Sequence, residues 1–527
     1  VLFEKRANPG VKNKRKMKKI NIWITLGISC LSGLSQANTR SPNIIFFLVD
    51  DMGWQDTSVP FGKEKTPINK KFYTPNMERL ASEGMKFTQA YACSVCSPSR
   101  TSLMTGMNAA RHRVTNWTLR KNQTVDAKDD DLEFPAWNLN GLQPSNVDTI
   151  SMTVAATTLP QLLRDKGYFT IHCGKAHWGA ETTPGANPLN LGFDINIAGH
   201  CAGGLGSYQG IHNFSAAWRN NDRIWDIPGL EKYFGKDINL TDALTLEAKS
   251  ALDSSLQIGK PFYLYMAHYA VHIPLEPHHQ FYQKYKDRGL DDAEAMYASM
   301  IEGMDKSLGD LMDYLEEKEI SQNTVILFMS DNGGLSAHGR GGAPNTHNLP
   351  LNSGKGSAYE GGIREPMIVK WPGKVEPATH CDNYLIIEDF FPTILEIAGV
   401  RRYKTRQIVD GISFLPMLLQ KGKTSRNRDI FWHFPNNWGP NGPGIGATST
   451  IRSNDWKLIY WYKDQHFELF NIRNDISEQN NLATAHPEKV KELASKLGNY
   501  LRKVGAQRPY YKSSGKIAPW PDQRINK

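Results

Sequence analysis

Apolar residues along this chain gather into short unbroken runs that end on polar side chains. Asn43–Val49 is such a run and closes on Asp50-Asp51-Met52-Gly53, the pattern of a buried parallel strand with acids at its C-terminal end. Similar runs at Tyr168–Cys173, Pro261–His268, Thr324–Ser330 and Pro366–Trp371 predict further strands. Between them the period changes from continuous to helical. Thr74-Pro75 opens a helix through Gly84, with Thr as N-cap, Pro in the first turn and Gly as the stop. Over Leu290–Lys318, Met296, Met300, Met304, Leu308, Leu311, Met312 and Leu315 recur at helical spacing, which predicts a long helix packing its methionines into the core. Phe390–Gly399 reads as one more helix.

Strands alternating with helices predict an α/β fold, a large and mostly parallel sheet flanked by helices, with ligands at the C-terminal strand ends. This domain is expected over 38–400, since the polar stretch Arg401–Gln407 marks an edge. Beyond it, Trp456–Tyr462 and His466–Phe470 alternate as short strands joined by a turn, and Pro487–Val504 has a helical pattern. The expectation for 401–527 is a smaller α+β domain with a short antiparallel sheet.

Charge changes the picture only at one end. The 527 residues carry a net charge of +9, but eight basic side chains and one acid fall in residues 1–19, leaving 54 basic and 52 acidic residues beyond. The surplus is a tail and gives no support for a nucleic-acid partner. Met17-Lys18-Lys19, the apolar run Ile20–Leu34 and Ser35-Gln36-Ala37 have the three regions of a secretory signal. Cleavage after Ala37 and a periplasmic or secreted protein are expected, with residues 1–16 lying upstream of the signal. The apolar run is shorter than the roughly 20 residues of a membrane span, so no stable span is expected. Six cysteines are too few for a disulfide scaffold in a chain this long.

The chemistry-bearing motifs are more specific. Cys93-Ser94-Val95-Cys96 has redox spacing, but Cys96-Ser97-Pro98-Ser99-Arg100 continues through Thr101-Ser102-Leu103-Met104-Thr105-Gly106. That frame resembles the signature of the type I sulfatases, a family within the alkaline phosphatase superfamily, whose signature cysteine is oxidised to Cα-formylglycine by a maturation enzyme. Further segments resemble the family in the same order: Asp50-Asp51, Gly174-Lys175-Ala176-His177, Val271-His272-Ile273-Pro274, Asp331-Asn332-Gly333-Gly334 and Gly354-Lys355-Gly356 through Arg364. Ala176 and Val271 replace the Trp and Pro usual at those places.

The resemblance implies a metal shell of Asp50, Asp51, Asp331, Asn332 and the formylglycine at 96. An all-oxygen set of this kind suits Ca²⁺, or Mg²⁺, rather than zinc. It also implies that Arg100, Lys175 and Lys355 stabilise charge on the sulfate, that one hydroxyl of the hydrated formylglycine attacks sulfur to give a covalent sulfate hemiacetal, and that loss of the second hydroxyl's proton expels sulfate. His177 is then the base for release, and His272, with Lys355, the donor to the leaving alcohol. Asp331 is a candidate for the first diol proton.

Aromatic and polar insertions at Met107–Ser151 and Trp178–Ala251 suit a sulfated carbohydrate. Arg111, His112, Trp117, His347 and His433 are the candidate substrate-binding residues, with His338, Arg340 and Trp438 behind them. Two alternatives stand beside this reading. One is a phosphomonoester, phosphodiester or phosphonate hydrolase of the same superfamily; the other is a catalytically silent binder of sulfated glycans.

Overall fold

The computed structural model describes residues 41–421 and 428–525, so the segment read as an export signal lies outside the described residues. The main sheet has nine strands: β1 (Asn43–Val49), β2 (Met85–Tyr91), β3 (Phe169–Gly174), β4 (Ile195–Ile197), β5 (Phe262–Ala267), β6 (Thr324–Ser330), β7 (Arg364–Lys370), β8 (Thr379–Cys381) and β9 (Leu385–Ile386). They run in the order β8-β2-β7-β6-β1-β5-β3-β4, with β9 also paired to β2. From β6 through β1, β5 and β3 to β4 every pairing is parallel, whereas β7 runs antiparallel to both β6 and β2. The register between β7 and β2 shifts between Glu365 and Met367, at Pro366, which has no N–H to give the ladder.

Period two along β1 explains why the whole run is apolar. Ile44, Phe46 and Leu48 enter one core, with Phe390 and Ile394 of the helix Phe390–Ile397. Ile45, Phe47 and Val49 enter the other, with the helices Leu240–Ile258 and Asp292–Glu317. A strand covered on both faces has no solvent side to keep polar. The long helix buries Met300, Met304, Leu308, Leu311, Met312 and Leu315 and leaves Met296 at the edge, so the methionine stripe is core packing.

The second sheet is antiparallel, β10 (Asp429–Phe434), β11 (Thr448–Ser453), β12 (Trp456–Trp461) and β13 (Phe467–Asn471) in that order. The helix Pro487–Val504 lays Leu493, Leu497 and Leu501 on Ile451 and Leu458. Residues just past the polar stretch at 401–407 still pack on the first sheet's layer. Asp410 donates its N–H to Gly106 O at 2.8 Å, and the Phe414 ring lies 4.9 Å from that of Phe390. No helix among the described residues is long and apolar enough to cross a membrane.

Candidate active site

β1 and β6 are parallel neighbours with Val49 opposite Ser330, so Asp50-Asp51 and Asp331-Asn332, which follow them, emerge side by side at the C-terminal edge. Ser330 Oγ ties the turns together, accepting from Met52 N–H and donating to Asn332 O, each at 3.0 Å. Asp51 turns in the left-handed region, φ 59°, and its N–H reaches Asp331 Oδ1 at 3.3 Å.

The helix α1 (Cys96–Thr105) aims its N-terminus at this edge. Val95 before it is extended, Pro98 fits its first turn, and Gly106 ends it at φ 69°. All ten of its residues are buried although most are polar. Arg100 donates from Nε to Asp331 Oδ2 at 2.8 Å and from Nη1 to Lys175 O at 2.9 Å; Ser97 Oγ donates to His177 O at 3.2 Å.

Residue 96 therefore sits among the acids. Its Sγ is 3.6 Å from Asp50 Oδ1 and 4.0 Å from Asp51 Oδ1, and one ligand atom each from Asp50, Asp51, Cys96 and Asp331 lie within 4.8 Å of one another. Lys175 Nζ is 2.6 Å from Asp50 Oδ2, Lys355 Nζ is 2.6 Å from Asp51 Oδ1, and Asn332 Nδ2 donates to Asp51 Oδ1 at 2.8 Å. Burial pushes the Asp50 carboxyl up to about 8 against the pull of Lys175, with Asp331 and Asp51 adding to the push. Burial would raise Asp51 as well, but Lys355 and His272 draw it below the usual carboxylate range. The set fits a hard cation on this chain's own evidence: three crowded carboxylates, and a buried Asn332 Oδ1 with no protein partner.

Two histidines face the cluster, and the network fixes their tautomers. His177 donates Nε2–H to Thr118 O at 2.8 Å, which leaves Nδ1 buried, unpartnered and a lone-pair acceptor. His272 donates Nδ1–H to Ile273 O at 2.7 Å, and its Nε2 lies 3.8 Å from Asp51 Oδ2. Burial holds both well below the ordinary imidazole value, helped by Lys175 at His177 and Lys355 at His272.

A cleft of about 270 Å³ opens over these groups. Cys96, His177, His272 and Lys355 form part of its wall, and Trp117, Trp225, Trp438, Arg219 and His338 form much of the rest. Of the candidate substrate-binding residues, the structure brings Trp117, His338 and Trp438 to this cleft, while Arg340 is held by Glu294. Arg111 holds Asp410 through Nε and Nη2, each at 2.7 Å. His112 is buried between Ser102 Oγ and Val114 N–H, and His433 between Ser449 Oγ and Gln507 O. His347 binds Ser336 Oγ and Gly341 O. Arg219 and Trp225 were not singled out by the sequence reading, which named only the insertion that contains them. The thiols of Cys93 and Cys96 are unpaired.

Comparison with known proteins agrees with this geometry. Residues 42–400 match the Sulfatase family and residues 354–507 match "N-sulphoglucosamine sulphohydrolase, C-terminal". An N-acetylgalactosamine-6-O-sulfatase of Bacteroides thetaiotaomicron is 29% identical, covering 91% of this chain and 99% of its own. An N-acetylgalactosamine-6-sulfatase of Mus musculus is 31% identical over 88% of this chain and 81% of its own. Among solved structures, Ps i-CgsB in complex with k-i-k-neocarrahexaose superposes with a TM-score of 0.69 at 26% identity, over 88% of this chain and 93% of that one. With the family match spanning most of the sequence and its signature cysteine seated among the acids, the chain belongs to the sulfatase family.

Proposed function

We propose that the protein is an exported hydrolase of sulfate esters on a carbohydrate, matured by conversion of Cys96 to formylglycine and working with a bound Ca²⁺. The observation that carries this reading is the position of residue 96, at a buried helix N-terminus within 4.0 Å of Asp50 and Asp51. As a thiol it is a weak nucleophile there, since burial pushes it up to about 12. The formylglycine hydrate supplies a hydroxyl nucleophile and a second hydroxyl for release. Asp50, Asp51, Asp331, Asn332 and residue 96 would hold the metal, which supplies Lewis-acid stabilisation of sulfate oxygens.

The chain's own groups divide the remaining work. The cations of Arg100, Lys175 and Lys355 are held by the buried carboxyl groups, so ammonium and guanidinium groups stand ready beside the place where oxygen charge develops. His177 Nδ1, with its lone pair free, takes the proton whose loss expels sulfate. His272 Nε2 carries the proton to the departing alcohol, and the ester's own negative charge beside it favours the imidazolium that must form. The names of the relatives that act on N-acetylgalactosamine 6-sulfates, the carrageenan-derived ligand of the solved neighbour and the tryptophan-walled cleft support a sugar substrate.

The test is sulfate release from 4-nitrophenyl sulfate by protein produced with a formylglycine-generating enzyme, alongside 4-nitrophenyl phosphate. Turnover of the sulfate, an aldehyde at residue 96 by peptide mass spectrometry, and loss of both in Cys96→Ala are expected. Faster turnover of the phosphate would overturn the reading.

A further inference from the structure

The outer wall of the cleft carries a charge that the chemistry does not use. Arg219, half-buried, lies on the insertion between β3 and the helix Leu240–Ile258. Its guanidinium carbon is 4.8 Å from the Trp218 ring centroid and 5.1 Å from that of Trp225. Trp218 is itself pinned, donating Nε1–H to Gly206 O at 2.6 Å. No carboxylate among the described residues pairs with Arg219. Asp222 is taken by Arg120 at 2.6 Å, and Asp226 by Arg223 at 2.6 Å. The cleft wall contains no Asp or Glu, and its other cation, Lys355, is already held by Asp51.

An arginine positioned by ring stacking gives up little further freedom when it binds, and its planar fork matches a carboxylate or a sulfate. A half-buried guanidinium that no carboxylate holds keeps its N–H groups free for an anionic group of a ligand in the cleft. Trp117, Trp225 and Trp438 provide flat apolar faces around it.

We propose that Arg219 forms a second anion subsite, so that the sugar substrate carries, besides the ester that is cleaved, another sulfate or a carboxylate. This rests on the sulfatase reading above and deepens it. Arg219 binds and positions; it takes no part in the chemistry.

The formylglycine-bearing enzyme and its Arg219→Gln variant are assayed on five compounds. Three carry one charge: 4-nitrophenyl sulfate, galactose 6-sulfate and N-acetylgalactosamine 6-sulfate. Two carry more: N-acetylgalactosamine 4,6-disulfate, and a disaccharide of a uronic acid with N-acetylgalactosamine 6-sulfate. The wild type is expected to prefer a doubly charged sugar, and Arg219→Gln to lose on the order of tenfold in kcat/KM there, chiefly in KM. The singly charged compounds should change by less than about twofold, and raised salt should mimic the loss in the wild type. Preference for the disulfate assigns the subsite to sulfate, and preference for the disaccharide assigns it to carboxylate. A singly charged sugar as best substrate, an equal loss on all compounds, no loss on any, or turnover of the aryl sulfate with no sugar turned over would each overturn the proposal. No turnover even of 4-nitrophenyl sulfate, with the aldehyde confirmed at 96, would instead bring down the sulfatase reading and this subsite with it.

Discussion

Lys355 lies 2.6 Å from Asp51 and 5.9 Å from the Trp438 ring centroid, so one ammonium joins the carboxylate cluster to the aromatic wall. Removing it takes a fixed positive charge from the wall of the cleft beside residue 96. Lys355→Ala is expected to lower kcat by about 10²–10³ on aryl sulfate. A drop of less than tenfold would place the lysine outside the reaction. His272 invites a different comparison. If its Nε2 serves the leaving alcohol, His272→Ala should hurt a sugar sulfate by about 10²–10⁴ and a nitrophenyl sulfate far less, because nitrophenolate leaves without a proton. Equal losses on both would end the acid role. These residues were legible because short motifs fix them, Gly354-Lys355-Gly356 and Val271-His272-Ile273-Pro274, as Asp50-Asp51 and Asp331-Asn332 after two apolar strands and the Pro and Arg frame of Cys96 fix the rest. Arg219 had no such frame. Its role depends on which acids have other partners, and only the folded arrangement shows that Asp222 and Asp226 are engaged.

At the level of elements, α1 owes its place to how it ends as well as how it begins. Gly106 adopts φ 69°, and a Cβ there would come within 2.9 Å of Val409 and 3.0 Å of Phe391. Gly106→Ala combines left-handed strain with a clash against a packed ring and is expected to cost about 2–3 kcal/mol. Thermal unfolding measures it, and an unchanged midpoint would contradict the account. The sequence pattern found the central strands closely because burial on both faces makes them continuous apolar runs. It missed β2, Met-Lys-Phe-Thr-Gln-Ala-Tyr, whose half-exposed Lys86, Thr88 and Gln89 break any run. It missed β11 for the opposite reason. Thr448–Ser453 is mostly polar and has no apolar run, yet every residue is buried, and Arg452 stacks 4.5 Å from the Tyr384 ring centroid. Polar residues whose partners are distant in sequence cannot be distinguished from exposed ones by period alone.

Across the whole molecule, the two sheets are joined through buried charge. Lys457 on β12 lies 3.0 Å from Glu360 and 2.8 Å from Glu478, all three side chains fully buried. Lys457→Met would leave Glu478 without its cation, while Glu360 keeps Arg364 at 3.2 Å, and is expected to destabilise by about 3 kcal/mol, read from denaturant midpoints. Acid should act through a different set. His433 donates Nε2–H to Gln507 O at 2.9 Å, its Nδ1 lies 2.7 Å from Ser449 Oγ, and burial pushes it down to about 3. A folded value below the unfolded one of about 6.5 means stability that is complete above that pH and is lost as pH falls toward 3. Between pH 7 and 5 the wild type should lose about 2 kcal/mol relative to His433→Gln. Parallel pH profiles for the two proteins would show that His433 does not contribute.

Residue 96 is 3% exposed, on a helix buried at all ten positions. That burial imposes a schedule. If residue 96 is oxidised as proposed, an enzyme that must seize this side chain and its flanking residues cannot do so once the helix has docked, so that oxidation would have to precede closure of the fold. Protein that folds with the thiol intact is then committed to inactivity for its lifetime. Supplying the oxidising enzyme afterwards should rescue it only if the chain is first unfolded.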